Sequence, residues 1–166
     1  MANFEWLDQN INDIFDKIYA NQNLCKLLFY NVDDPLSESN ITTTKVLYTD
    51  KENQKLFPYF FTPDLTSEQK TTLHICFKDF RLSDNIMFKP ARVDFYIVCH
   101  EYLWELDTGD NEIHLRPFAI LNELDKTFNR KRTIGLGKNN FNGLTPMYYN
   151  NKFSGFCYSL EWVDFT

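Results

Sequence analysis

Hydrophobic side chains recur at steps of three and four along the start of the chain. Phe4, Leu7, Ile11, Ile14, Phe15 and Ile18 form one stripe, with Asp8, Asn12, Asp13 and Asp16 mostly opposite. That period predicts an amphipathic helix over residues 3–20. Asn3 is its expected N-cap, and the early acids suit the positive end of the helix dipole. Asn21 interrupts the pattern, and a second short helix is expected over Gln22–Phe29. DDPLS, residues 33–37, then ends helical structure, because Pro35 biases Asp34 toward extended geometry.

Periodicity fades over residues 38–70. This stretch holds a Thr run, a short strand expected at Lys45–Tyr48, a charged TDKENQK turn and the aromatic LFPYFF before Pro63. A long excursion of this kind in a compact domain is often functional. Phe57, Tyr59, Phe60 and Phe61 would anchor it, either on a neighbouring subunit or folded back over the chain's own core.

From residue 71 the period changes to two. Leu73, Ile75 and Phe77 alternate with His74, Cys76 and Lys78; after a polar RLSDN connection, Val93, Phe95, Ile97 and Cys99 alternate with Asp94, Tyr96 and Val98. A Gly-Asp turn leads to a helix opened by Pro117, with Phe118, Ile120, Leu121, Leu124 and Phe128 as its apolar positions. TIGLGKNNFNGL resumes extended structure. A last hairpin is expected to turn at Asn150-Asn151 and to place Phe156, Tyr158, Leu160 and Trp162 on one face. The order of elements predicts one α+β domain over residues 1–166, a largely antiparallel sheet packed against two or three helices.

Composition narrows the function classes. Hydrophobic residues at 43% and charged residues at 24% exclude wholesale disorder. The 16 Phe, 9 Tyr and 3 Trp imply either a Phe-rich core or aromatic contact surfaces on partners. A net charge of −6 without a basic stripe argues against gripping a phosphate backbone by charge. The one dense basic run, Asn129–Arg132, follows a helix and is expected to complement its negative end. No apolar run approaches the ~20 residues of a membrane span, and no signal peptide is visible, so a soluble chain made inside the cell is expected.

CHEYLWELD, residues 99–107, gathers a thiol, an imidazole and three carboxylates. Strand alternation puts Cys99 and His100 on opposite faces, and only His74 and His114 remain as other imidazole partners. Burial of Cys99 would make its thiol a poor nucleophile. Asp94 and Glu101 invite comparison with metal-dependent nucleases, but the lysine two residues beyond the acid is missing: Tyr102 and Leu103 follow Glu101. Cys25, Cys76, Cys99 and Cys157 show no zinc spacing, and Gly135 and Gly137 match neither phosphate-loop nor dinucleotide fingerprints. No catalytic, metal or cofactor set is therefore expected. Tyr102, Leu103 and Trp104 are expected to leave the sheet as an apolar knob, with Glu101, Glu105 and Asp107 facing water.

The early helix leading into KLLFYNVDDPLS, the strand ICFKDFRLSDN and VDFYIVCHEYLWELD carry a resemblance that continues through IHLRPFAILNELDKTF, TIGLGKNNF and PMYYNNKFSGFCYSLEWVDF. On these phrases the chain resembles small neck and tail-completion proteins of tailed bacteriophages, especially tail terminators from phages of Gram-positive hosts. The likeness spans nearly the whole chain and is weakest over residues 38–70. It implies an α+β subunit of a ring, usually a hexamer, that caps the completed tail tube and presents a docking surface to the head connector. It also implies a virion protein assembled in the host cytoplasm, with DNA passing through the ring without specific binding, and it supplies no catalytic motif or cofactor. Stopper or adaptor proteins of the neck are the nearest alternative, with a small metal-dependent nuclease or a monomeric binding module further off. The residues expected to meet a subunit or partner are Phe57, Tyr59, Phe60, Phe61, Tyr102 and Trp104.

Overall fold

The computed structural model describes residues 5–65, 68–82, 88–132 and 138–163. The expected Asn3 cap and Phe4, and the glycines Gly135 and Gly137, lie outside them. Helix α1 (Glu5–Ala20) buries Ile14, Phe15 and Ile18, with Ile11 partly covered, as its stripe predicts. Asn21 does more than interrupt. Its backbone turns extended and its side-chain oxygen accepts from the Leu24 N–H at 3.0 Å, so it caps α2 (Gln22–Phe29). Its amide nitrogen reaches Glu123 Oε2 at 3.0 Å and Thr127 Oγ1 at 2.9 Å, locking the helix junction to a distant helix.

Residues 46–49 form a helical turn, α3 (Val46–Thr49), where the sequence predicted a strand at Lys45–Tyr48. The carbonyls of Thr43 and Thr44 accept from Val46 and Leu47. The sheet edge such a strand would need, that of residues 71–82, is already taken by β1 (Leu56–Phe57), which runs parallel to it. Strands β2 (Thr71–Leu82) and β3 (Phe88–His100) form a long antiparallel hairpin, and β2 continues through Arg81 and Leu82, the start of the expected polar connection. A small hairpin of β4 (Glu105–Leu106) and β5 (His114–Leu115) precedes α4 (Arg116–Phe128), which carries proline in its first turn. Strands β6 (Lys138–Tyr148) and β7 (Phe153–Val163) close the chain.

The architecture is α+β. The main sheet has the order β1-β2-β3-β7-β6, antiparallel except at β1. Helices α1, α2 and α4 cover one face. Leu73, Ile75, Val93, Phe95, Ile97, Tyr158 and Leu160 meet them there and form the core. The last turn is longer than a two-residue primed turn. Tyr149 and Asn150 both donate to the Phe153 carbonyl, and Asn150 Oδ1 accepts from Lys152 and Phe153. The asparagine side chain thus takes the place of a backbone turn bond.

Arg116 has no counterpart in the sequence reading. It is fully buried, yet its guanidinium donates to the carbonyls of Leu103 at 2.9 Å, Leu27 at 2.8 Å, Tyr30 at 2.9 Å and also Val32. Those acceptors include the otherwise unpaired C-terminal end of α2, so one cation satisfies several orphan carbonyls and complements a helix dipole.

Candidate interaction surface

The strand end 99–107 resolves into separate environments. Cys99 faces the helix layer, fully buried, and burial pushes its thiol up to about 11. Its near contacts are Thr71 Oγ1 at 3.5 Å and the His100 carbonyl. His100 points to the opposite face, stacked against Phe153 and Tyr102, and its Nδ1 accepts from the Tyr102 N–H. After it, Glu101–Leu103 turn as one short 3₁₀ helix, which buries Leu103 and leaves Glu101, Glu105 and Asp107 exposed. Tyr102 is 70% exposed and Trp104 half-buried.

Asp94 does meet a lysine, but from the neighbouring strand. Lys78 Nζ lies 3.0 Å from its carboxylate, Arg92 Nε lies 3.0 Å away, and Ser159 Oγ donates at 2.7 Å. Burial pushes the Asp94 carboxyl up, but the Ser159 hydroxyl, the Lys78 ammonium and the Arg92 guanidinium outweigh it and hold it below the usual range. Glu101 sits seven residues further along, beyond the end of the same strand, so the two acids weighed as a nuclease pair do not converge. Asp94 instead holds three strands together on the face away from the helices.

That second face is covered by the aromatic arm. Phe57, Phe60 and Phe61 place their rings 4.9, 5.7 and 4.6 Å from His74, and Phe60 also packs on Tyr96 at 4.5 Å and Tyr149 at 5.8 Å. His74 Nδ1 accepts from the Phe61 N–H, and Nε2 lies 2.9 Å from Thr72 Oγ1. Burial drives the His74 imidazole down to about 3, so it is neutral. The arm therefore lies on its own sheet. Phe57 is buried within this covering, while Tyr59, Phe60 and Phe61 keep exposed flanks.

The sequence reading missed a second surface. Helix α4 covers β3 and β7, while β6 is held at its start, where the Asn139 backbone pairs with Arg130 and Lys131, and is mostly exposed from Phe141 onward. On the helix-side face, Phe118 packs on Phe156 at 5.4 Å, and Phe141 packs on Tyr158 at 5.5 Å. Leu144 pairs with Tyr158 and Pro146 with Phe156 across the β6–β7 register. Phe118, Phe141 and Leu144 are 51%, 48% and 43% exposed, an apolar band at the sheet's edge. Where α4 ends, a cleft of about 470 Å³ opens between Asp125, Asn129, Arg130, Asn140 and Phe141. The basic run lies here, and Lys131 donates its ammonium to the Lys126 carbonyl in the last turn of α4, the helix-end role the sequence predicted. The band escaped the sequence because a register shift between Phe141 and Gly143 breaks strict alternation.

Among the described residues, no helix is long and apolar enough to cross a membrane. Asp110 and Glu112 on the exposed loop after β4, and His114 at the start of β5, bring one ligand atom each within 4.8 Å of one another. No curated protein and no solved structure matches the chain. The profile of the family YomW matches residues 21–161, which takes in every element from α2 to most of β7. The chain thus belongs to the YomW family, a family of phage origin.

Proposed function

We propose that the protein is a structural virion component of a tailed phage, a ring subunit at the head–tail junction that caps the tail tube and joins it to the head connector. The observation that carries this reading is the uncovered apolar band of Phe118, Phe141 and Leu144 on a phage-derived chain. A contiguous exposed band of this kind marks a protein contact more often than chance exposure. A ring subunit needs such a surface on each flank, with separate faces for tube and connector. The titratable clusters support contact over chemistry: Asp94 is occupied by Lys78, Arg92 and Ser159, and burial raises the Cys99 thiol. The reading is of a hexameric ring with DNA passing through unbound. A stopper or adaptor ring in the same neck is the alternative, since it needs the same flanks.

Light scattering after size exclusion, with the chain alone and with tail-tube protein of its phage, tests the reading. A species of about six monomer masses, or rings seen at tube ends by electron microscopy, is expected. A chain that stays monomeric and never decorates tube ends would refute it.

A further inference from the structure

We infer that the cleft between the end of α4 and β6 receives the loop around Ile113 from a second copy of this chain, making a head-to-tail contact. This rests on the ring reading above and names the surfaces that would build the ring. Ile113 is 88% exposed, the most exposed of the large hydrophobic side chains among the described residues, and it projects from an acidic loop with Asp107, Asp110 and Glu112. The loop is held in shape without a partner: Asp107 accepts from the Gly109 N–H, and Asp110 accepts from the Glu112 N–H and meets His114 Nε2 at 2.8 Å. A preformed knob loses little entropy on docking.

The cleft is the complement. Its apolar wall is Phe141, and Arg130 lines it with no acid paired to its guanidinium among the described residues. The cleft's own acid is already occupied, because Asp125 Oδ1 accepts from Tyr158 and Asn129 at 2.9 Å each. Arg130 is therefore left to meet an incoming carboxylate, and Glu112 beside Ile113 supplies one. The knob and the cleft lie at opposite ends of α4, whose 13 residues span roughly 20 Å. They cannot meet within one molecule, so the contact joins different surfaces of two copies and propagates as a ring or filament. Strand addition along β6 is a poorer route, since the Phe141/Gly143 irregularity and Pro146 both blunt that edge.

On a Cys76→Ser background, Thr108→Cys and Asn140→Cys chains, which keep Ile113 and Phe141, are mixed and treated with a short bismaleimide, free and on tail tubes. Linked dimers are expected in the mixture at least tenfold above either variant alone. Arg130→Glu should abolish linkage, and Glu112→Arg in the partner chain should restore it. Thermal melts of each variant exclude misfolding. Tube ends capped by chains that do not link would overturn this contact and leave the ring reading standing. Asn140→Cys chains linking to themselves as efficiently would overturn the head-to-tail arrangement. Linkage without tube capping would keep the contact and refute the neck assignment, and neither result would refute both.

Discussion

Arg116 shows how much a single residue can do without any local signature. It sits in a helix's first turn beside a proline, where a sequence reading sees only a helix start. Folded, it holds the carbonyls of Leu27, Tyr30, Val32 and Leu103 together. Removing it leaves buried acceptors unmet, so Arg116→Ala should cost about 3 kcal/mol or more, read as a lower urea midpoint. His74 makes a pH-dependent prediction. Its folded pKa is about 3, against an ordinary value of about 6.5. Between those values the unfolded chain binds the extra proton, so stability is complete above about pH 6.5 and is lost as the pH falls toward 3. The slope is at most about 1.4 kcal/mol per pH unit, and His100, also lowered by burial, adds to it with the same sign. Urea midpoints at pH 7 and pH 5 should separate in the wild type and draw closer in His74→Gln. An unchanged separation would remove His74 as the cause. Protonation also takes away the acceptor for Phe61, so the arm should loosen first.

Elements followed their periodicity wherever each buried one clean face. The stripe of α1, the alternation of β2 and β3, and the run Phe156, Tyr158, Leu160 and Trp162 were all legible for that reason. Residues 46–49 were not, because helix or strand there depended on who occupied the edge of β2. Gly155 on β7 is a constraint that only strand pairing reveals. A Cβ there would sit 2.0 Å from the Ile97 carbonyl oxygen, which also accepts from the Tyr149 hydroxyl at 3.1 Å. Gly155→Ala must push β3 and β7 apart and should cost on the order of 2–4 kcal/mol in equilibrium unfolding. A neutral effect would mean the strands yield more easily than their packing implies. Asn21 links two levels, as cap of α2 and tie to α4. Asn21→Ala should lose more than the ~1 kcal/mol of a cap alone, by chemical denaturation, because Glu123 and Thr127 lose a donor as well.

The whole molecule is a sheet covered by helices on one face and by the aromatic arm on the other, except along the outer part of β6. This arrangement explains the high aromatic count without assigning all of it to partners: Phe57, Phe60 and Phe61 cover His74, and Phe95 and Phe128 stack in the core. Among the residues first expected at an interface, Tyr59 at 56% and Tyr102 at 70% exposure offer the most free surface. Tyr59→Ser and Tyr102→Ser should each leave stability within about 0.5 kcal/mol. Lost tube-end binding with an intact melt would assign them to a partner face. Unchanged binding would leave the band along β6 as the principal contact.

The sequence alone determined α1, α2, α4 and the alternation of β2, β3 and β7, since period and burial are local properties that each of these segments carries by itself. It also determined that Cys99 and His100 cannot act together, because neighbours on a strand point apart. Tertiary structure decided what those faces meet. It brought Lys78 to Asp94 from an adjacent strand, put the arm over His74, buried Arg116 among four carbonyls and left β6 exposed beyond Phe141. Each of these depends on residues far apart in the chain becoming neighbours, and no spacing along one segment encodes which neighbour arrives.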